Sequence, residues 1–183
     1  MLRGLNSALK NRFIKSRIVR KIINPFASLE GYNCFGCSQT NQSGLQLSFI
    51  EEGDEIVSNW LPKSSFQGYW NVLHGGIQAT LMDEIASWTV YVKVKRAGVT
   101  SRTEIKYLKP IYIDRGEIQI RSTLVQLRKN LADIRVKIFD ANSQLCAEGI
   151  FTYFTFSEKK SKEEMYYPEP EDFFEKESVY RPL

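Results

Sequence analysis

Hydrophobic and polar residues alternate with a period of two over several stretches of the chain, as expected of strands with one buried face. The alternation starts with Leu45, Leu47 and Phe49, and Glu52-Gly53-Asp54 then forms a turn that joins this strand to the next in a hairpin. Four further strands follow in the second half of the chain. The predicted strands after the first turn cover Ile56–Leu61, Val99–Tyr107, Glu117–Leu127, Leu131–Phe139 and Gln144–Phe156.

The period changes in the middle of the chain. Ile77, Leu81, Ile85, Trp88 and Val92 follow helical spacing, and small or apolar residues occupy the other faces. A helix that is apolar almost all round is typical of a buried element. We expect it to begin after a glycine pair and to end near Arg96-Ala97-Gly98.

The order of elements is two strands, one long helix and four strands. Strands and helices do not alternate, so the pattern argues against a Rossmann-type parallel sheet. The pattern favours an α+β fold with one antiparallel sheet wrapped around a central helix. Because one helix covers only one face of such a sheet, we expect a second copy of the chain to cover more apolar surface.

The two ends of the chain differ from this middle part. Residues 1–30 form a basic amphipathic extension, in which Leu2, Leu5, Leu9, Phe13 and Ile22 lie near helical spacing. A mitochondrial presequence, a membrane-surface helix and a plain solvated helix all fit this pattern. Residues 31–156 are the predicted folded domain. Residues 157–183 form an acidic extension or loose tail, with five basic and eight acidic residues.

Composition narrows the class of protein. The chain has 183 residues, 43% hydrophobic and 25% charged, with a net charge of +4. Basic and acidic residues nearly balance over residues 31–156, which is not typical of a nucleic-acid-binding protein. No apolar run is long enough for a transmembrane segment, and three cysteines suit a reducing compartment. We expect a cytoplasmic protein, or one of the mitochondrial matrix if the N-terminus is a presequence.

His74-Gly75-Gly76, directly before the helix, is the sharpest local motif. Free N–H groups at a helix start attract negative charge, and the glycines let a ligand approach the backbone closely. A thioester or ester carbonyl bound there would have its developing oxyanion stabilised. A simple tight turn fits the same motif.

Asp83 and Glu84 are acids within the apolar helix. Asp83 shares a stripe with Thr80 and Ser87, which suggests a cleft on that side. Glu84 lies about 100° further round and competes for the same role. We expect Glu84 to reach solvent or a basic partner.

Cys34 and Cys37 flank a Phe-Gly pair. Zinc would need two more ligands, and the sequence offers only Cys146 and His74. A compact structural loop is therefore favoured over a metal site or a redox pair, and no metal or cofactor is predicted.

Together these motifs resemble those of the hotdog-fold acyl-CoA thioesterases of the PaaI-like (phenylacetate-pathway) type. The resemblance covers about residues 30–156 and rests on three segments: Cys34–Leu45, Phe66–Tyr69 and His74–Glu84. It implies a six-stranded sheet around one helix, assembly into dimers or dimers of dimers, and hydrolysis of acyl-CoA to free acid and CoA. A non-catalytic acyl-CoA-binding or regulatory hotdog module is the alternative.

The resemblance also implies roles for particular residues. It places the Gly75 N–H on the thioester carbonyl and makes Asp83 of the other subunit the base or nucleophile, with His74 and Thr100 beside them. The family often has Asn or Gln six residues before the His, where this chain has Gly68, and Gln67 is the nearest amide. The remaining candidates, all for substrate binding, are Gly76, Ser87, Ser101 and, for the CoA phosphates, Arg128 and Lys129.

Overall fold

The computed structural model describes residues 19–175, in which seven antiparallel strands form one sheet. The order across the sheet is β1-β2-β3-β5-β6-β7-β4. The hotdog arrangement predicted from the sequence is confirmed, with seven strands in place of six. The strands are Val19–Ile22 (β1), Phe49–Glu52 (β2), Glu55–Trp60 (β3), Gly98–Tyr107 (β4), Ile118–Arg128 (β5), Leu131–Phe139 (β6) and Leu145–Thr155 (β7).

Helix α1, Gly75–Thr89, packs across the sheet and contacts β3 to β7. Leu81, Met82 and Ile85 on this helix are completely excluded from solvent, as its apolar pattern predicts. A π-helical turn, Val90–Val94, follows, and Lys95 ends it with a left-handed φ of 58°. The helical segment therefore stops just before the predicted Arg96-Ala97-Gly98 end.

The strand that was not predicted is β1, which comes from the segment that the sequence predicts as helical. Val19–Ile22 pairs with β2, and Ile22 is buried in the core. The helical prediction is wrong for these four residues, because pairing with the edge of β2 satisfies their backbone and buries Ile22. The prediction for residues 1–18 lies outside the described residues.

The first predicted strand begins later than its alternation suggests. Leu45 and Leu47 are buried, but their N–H groups donate to the carbonyls of Phe35 (2.8 Å) and Gly36 (2.9 Å). Gln46 between them has a φ of 55°, which extended strands do not allow. These bonds fasten the cysteine-containing loop to the sheet, and β2 starts only at Phe49.

Part of the predicted C-terminal tail is packed. After β7 come helix α2, Glu158–Glu164, and the buried side chains of Tyr167 and Phe173. The carbonyl of Phe173 accepts a hydrogen bond from the N–H of Ile23 at 2.9 Å. The expectation of a loose tail is wrong over these residues, because their aromatic side chains complete the core. The division at residues 30 and 156 stays a prediction, with packed residues on both sides of it.

The last strand in the sheet order, β4, leaves apolar surface open. Val99 on β4 is 46% exposed, and Phe154 on the neighbouring β7 and Val125 on β5 are also exposed. An edge strand with an uncovered apolar face is suited to pairing with another chain. Within residues 19–175, no helix has the length and apolar character needed to cross a membrane.

Candidate functional site

A cavity of about 640 Å³ opens where α1 begins. Gly75 is the first residue of the helix, so its N–H has no acceptor within the helix. Among residues 19–175, no acceptor is found for this N–H. A carbonyl oxygen that enters the cavity can therefore accept it. The lining includes Gly68, Tyr69, His74, Gly75, Gln78, Tyr107 and Lys109.

His74 caps the helix. Its Nδ1 accepts the N–H of Gly76 at 2.9 Å, which removes one unpaired donor from the first turn. A Cβ on Gly76 would lie 3.0 Å from that nitrogen, and one on Gly68 would lie 3.2 Å from His74 Cδ2. Both glycines thus make room for the imidazole, and the predicted His-Gly-Gly motif forms the helix start.

Two further polar side chains line this cavity, and neither was among the residues predicted from the sequence. The Tyr107 hydroxyl donates to the carbonyl of Gly75 at 3.0 Å. Gln78 Nε2 donates to the carbonyl of Leu73 at 3.1 Å, while its buried Oε1 has no partner within the described part of the chain. A buried amide oxygen with a free lone pair is suited to accept from a ligand or a water molecule.

The Asp83 carboxylate has two hydroxyl donors. Thr100 Oγ1 and the Tyr153 hydroxyl each lie 2.8 Å from Asp83 Oδ1, and the Tyr153 hydroxyl is also 2.8 Å from the Asp83 carbonyl. Burial and then the charge of Asp83 raise the pKa of Tyr153, so the phenol stays a donor. The structure thus brings the predicted pair Asp83 and Thr100 together. Tyr153 was not predicted as a site residue, because it lies in a strand whose pattern indicates a place in the core.

Gly75 and Asp83 do not meet within one chain. They are eight residues apart on α1, which corresponds to about 12 Å along the helix axis. Reacting groups must approach to about 3–3.5 Å. A single chain therefore holds the two halves of the predicted machinery at separate places.

Two predicted substrate-binding hydroxyls have partners elsewhere. Ser87 is next to the buried phenol of Tyr91: burial raises the pKa of Tyr91, and the Ser87 hydroxyl opposes this shift. Ser101, at the bulge where β4 changes register against β7, donates to the carbonyl of Thr152 at 2.9 Å. Within the described residues, neither hydroxyl is hydrogen-bonded to the Asp83 carboxylate.

The amide of Gln67 is engaged in its own turn. Its Oε1 accepts the N–H of Asn71 at 3.2 Å. Tyr69 and Trp70, within this turn, are 87% and 88% exposed, and Tyr69 lines the cavity. The loop presents aromatic surface at the mouth of the cavity, while Trp88 belongs to the core, stacked on Phe49.

The predicted phosphate-binding pair lies away from this cavity. Arg128 donates to Asp133 at 2.9 Å, and Lys129 is in the turn between β5 and β6. Strand pairing places this turn at the end of the sheet where β4 begins, near Thr100. Lys109 is the cation beside the Gly75 cavity.

Glu84 faces the cysteine loop. The expectation that it reaches solvent or a basic partner is wrong: its Oε1 accepts from Trp88 Nε1 at 3.0 Å, and Cys34 Sγ lies 3.7 Å from both carboxylate oxygens. Burial, with the nearby Cys34 charge, raises the pKa of Glu84 to about 7. The hydrogen bond from Cys37 lowers the pKa of Cys34 to about 5.

Comparisons with known proteins agree with this fold. A family model described as the thioesterase superfamily matches residues 71–147. A candidate esterase from Saccharolobus solfataricus is 27% identical over 127 residues, which cover 68% of this chain and 82% of that protein.

Solved structures show the same architecture. A hypothetical thioesterase from Streptococcus pneumoniae, solved with coenzyme A, is 25% identical, with a TM-score of 0.53 over 57% of this chain and 80% of that one. The protein smu.793 from Streptococcus mutans, bound to acetyl-CoA, is 20% identical, with a TM-score of 0.57 over 71% and 97% of the two chains. The chain therefore has the hotdog fold of the thioesterase superfamily, and residues 71–147 carry the match to that superfamily's model.

Proposed function

We propose that this protein hydrolyses acyl-CoA thioesters at a site shared by two copies of the chain. One copy supplies the Gly75 N–H as the oxyanion donor. Its partner supplies the Asp83 carboxylate, which activates a water molecule. The proposal accords with the superfamily match and with the coenzyme A ligands named for two similar structures.

The observation that carries the proposal is the separation of two complementary halves along α1. At the start of α1, the unpaired Gly75 N–H faces a cavity, and about two turns further along the helix, Asp83 is held by two hydroxyl groups. The distance of about 12 Å along the helix prevents both from reaching one carbonyl. Two chains paired in opposite directions along the open β4 edge would bring each Gly75 towards the other chain's Asp83.

The chemistry needs little more than these groups. The thioester carbonyl develops negative charge as water attacks, and the Gly75 N–H and the positive end of the α1 dipole stabilise it. Asp83 takes the proton from the water, and CoA leaves as a thiolate. Because a thiol has a pKa of about 8.5, the thiolate is a good leaving group and a strong general acid is unnecessary. Lys109 at the cavity is the nearest candidate for binding a phosphate of CoA.

Activity is tested with a panel of acyl-CoA thioesters and a thiol-trapping dye. We expect Asp83→Asn to lower kcat by about 10² to 10⁴-fold, the usual contribution of a general base. Asp54→Asn, which removes an acid from the turn between β2 and β3, is the matched control and should keep its activity. Tight CoA binding without turnover on any chain length would favour the non-catalytic module.

The shared site has its own test. Asp83→Asn and Gly75→Ala chains, each with a different affinity tag, are produced together, and mixed dimers are isolated through both tags. In a shared site each mixed dimer has one intact site, so about half of the wild-type activity should return. Mixed dimers that remain as inactive as the parents would show that both residues act within one chain.

A further inference from the structure

The loop that contains Cys34 and Cys37 meets helix α1 at Glu84, the residue after Asp83. The Cys34–Glu84 cluster, which consists of Cys34, Cys37 and Glu84, brings two thiol sulfurs and a carboxylate oxygen within 4.8 Å of one another. The sequence offered Cys146 and His74 as further ligands for a cysteine site. The fold supplies Glu84 instead, from a position 50 residues after Cys34.

The spacing of the donor atoms fits one small cation. Zinc lies about 2.3 Å from a cysteine sulfur and about 2.1 Å from a carboxylate oxygen, so tetrahedral angles place these two ligand atoms about 3.6 Å apart. Cys34 Sγ lies 3.7 Å from both carboxylate oxygens of Glu84. The Cys34–Glu84 pair thus has tetrahedral ligand spacing, and the Cys37 sulfur lies within 4.8 Å of both partners.

The charges of the cluster also favour the binding of a cation. Glu84 is a mostly buried acid, and within the described part of the chain no Lys, Arg or His pairs with it. A buried carboxylate beside two ionisable thiols is costly unless a positive charge compensates it. A divalent ion would neutralise two thiolates at once and would leave the carboxylate as its third ligand.

The surroundings support bound thiolates. The Tyr32 hydroxyl lies 2.9 Å from Cys37 Sγ, and Trp88 Nε1 orients the Glu84 carboxylate. Donors of this kind hold the ligands of metal sites in place. A Cβ at Gly36 would collide with the Glu84 carboxylate, so only glycine lets the loop approach the helix this closely. Cys34 is only half-buried, which leaves an entry path.

We propose that Cys34, Cys37 and Glu84 bind one zinc ion, with a water molecule as the fourth ligand. Two thiolates select a soft or borderline ion over Mg²⁺ or Ca²⁺, which prefer oxygen ligands. The ion fastens the Cys34–Cys37 loop to α1 one residue after Asp83. The proposal stands independently of the hydrolytic activity.

The test is metal binding by the full chain, purified under reducing conditions and stripped with a chelator. Co²⁺ is the spectroscopic probe, because cobalt–thiolate charge-transfer absorption reports sulfur ligands, and Zn²⁺ should displace it. We expect about one equivalent per chain and a melting temperature that rises with zinc concentration, as mass action requires.

Variants assign the ligands. Cys34→Ser and Cys37→Ser should lose the cobalt–thiolate absorption. Cys146→Ser, which removes the remaining buried thiol, is the matched control and should bind as the wild type does. Glu84→Gln should weaken zinc binding at least about tenfold, since removing even a residue that only orients a metal ligand typically costs about 10 to 100-fold in affinity.

Two outcomes would overturn the proposal. One is a wild-type chain that binds no Co²⁺ or Zn²⁺ with its thiols reduced. The other is full binding by Cys34→Ser or Glu84→Gln. If a cysteine variant does not fold, the wild-type stoichiometry and Glu84→Gln still decide the question.

Discussion

The hydroxyl of Tyr153 provides a sharp test of how Asp83 is held. Tyr153 is 2% exposed, and its hydroxyl lies 2.8 Å from both the carbonyl and Oδ1 of Asp83. Tyr153→Phe keeps the ring in the core and removes only this donor. The substitution therefore separates positioning of the carboxylate from packing.

The expected magnitude follows from the partners. A buried hydrogen bond to a charged group contributes about 1.5–3 kcal/mol to stability, and one between neutral groups about 0.5–1.5 kcal/mol. Tyr167 is 4% exposed and donates to the Tyr91 carbonyl at 2.8 Å, a neutral partner far from Asp83 in the sequence. We therefore expect Tyr153→Phe to lower the free energy of unfolding by about 1 kcal/mol more than the control Tyr167→Phe.

Urea unfolding measures the stability, and acyl-CoA turnover measures the function. A carboxylate that loses one of its two hydroxyl donors should position the attacking water less precisely. If this removes about 1.4 kcal/mol of transition-state stabilisation, kcat falls about tenfold. KM should change little, because Tyr153 does not line the Gly75 cavity. Tyr167→Phe should keep wild-type kcat. Equal stability loss and equal kcat in the two variants would refute the proposed positioning of Asp83 by Tyr153.

Three other changes test separate parts of the structure. Gly75→Ala should fold with unchanged or slightly higher stability, because its methyl group would lie 3.7 Å from the Tyr107 ring and alanine favours helices by about 1 kcal/mol; turnover should nevertheless fall, since the methyl group crowds the carbonyl site. The hydrogen bond from Thr152, opposed by burial, lowers the pKa of Asp133. The Asp133 carboxylate should therefore stabilise the fold above about pH 4 and lose this effect at lower pH. The free energies of unfolding of wild type and Asp133→Asn should converge below that pH. Phe173→Ala, at a completely buried position, should cost about 3–5 kcal/mol in thermal or urea unfolding; a change below about 1 kcal/mol would mean that the C-terminal segment does not complete the core.

The sequence by itself determined the elements with regular periods. Leu131–Phe139 is a strand with the predicted bounds, and the apolar helix begins at the glycine pair as expected. Alternation and helical spacing are local patterns, so they determine element type without knowledge of the rest of the chain. The motif from His74 to Asp83 is equally local, because a helix start and a helix face depend on adjacent residues.

Tertiary structure decided where chain segments with weak or misleading local patterns go. Val19–Ile22 has helical spacing but forms a strand, because the edge of β2 supplies hydrogen bonds that an isolated helix end lacks. Phe173 lies in the acidic segment that the sequence predicts as an extension or loose tail, yet its side chain is completely buried in the core. In both cases the deciding contacts are with distant residues.

The partners of the two helix acids were also decided by the fold. The sequence places Asp83 and Glu84 about 100° apart, but it does not say what each side of α1 faces. Strand β7 brings Tyr153 to Asp83 across 70 residues, and the loop before β2 brings Cys34 to Glu84 across 50. Such contacts depend on strand order and loop path, which are properties of the whole chain, so one acid is paired with hydroxyl groups and the other with thiols only in the folded structure.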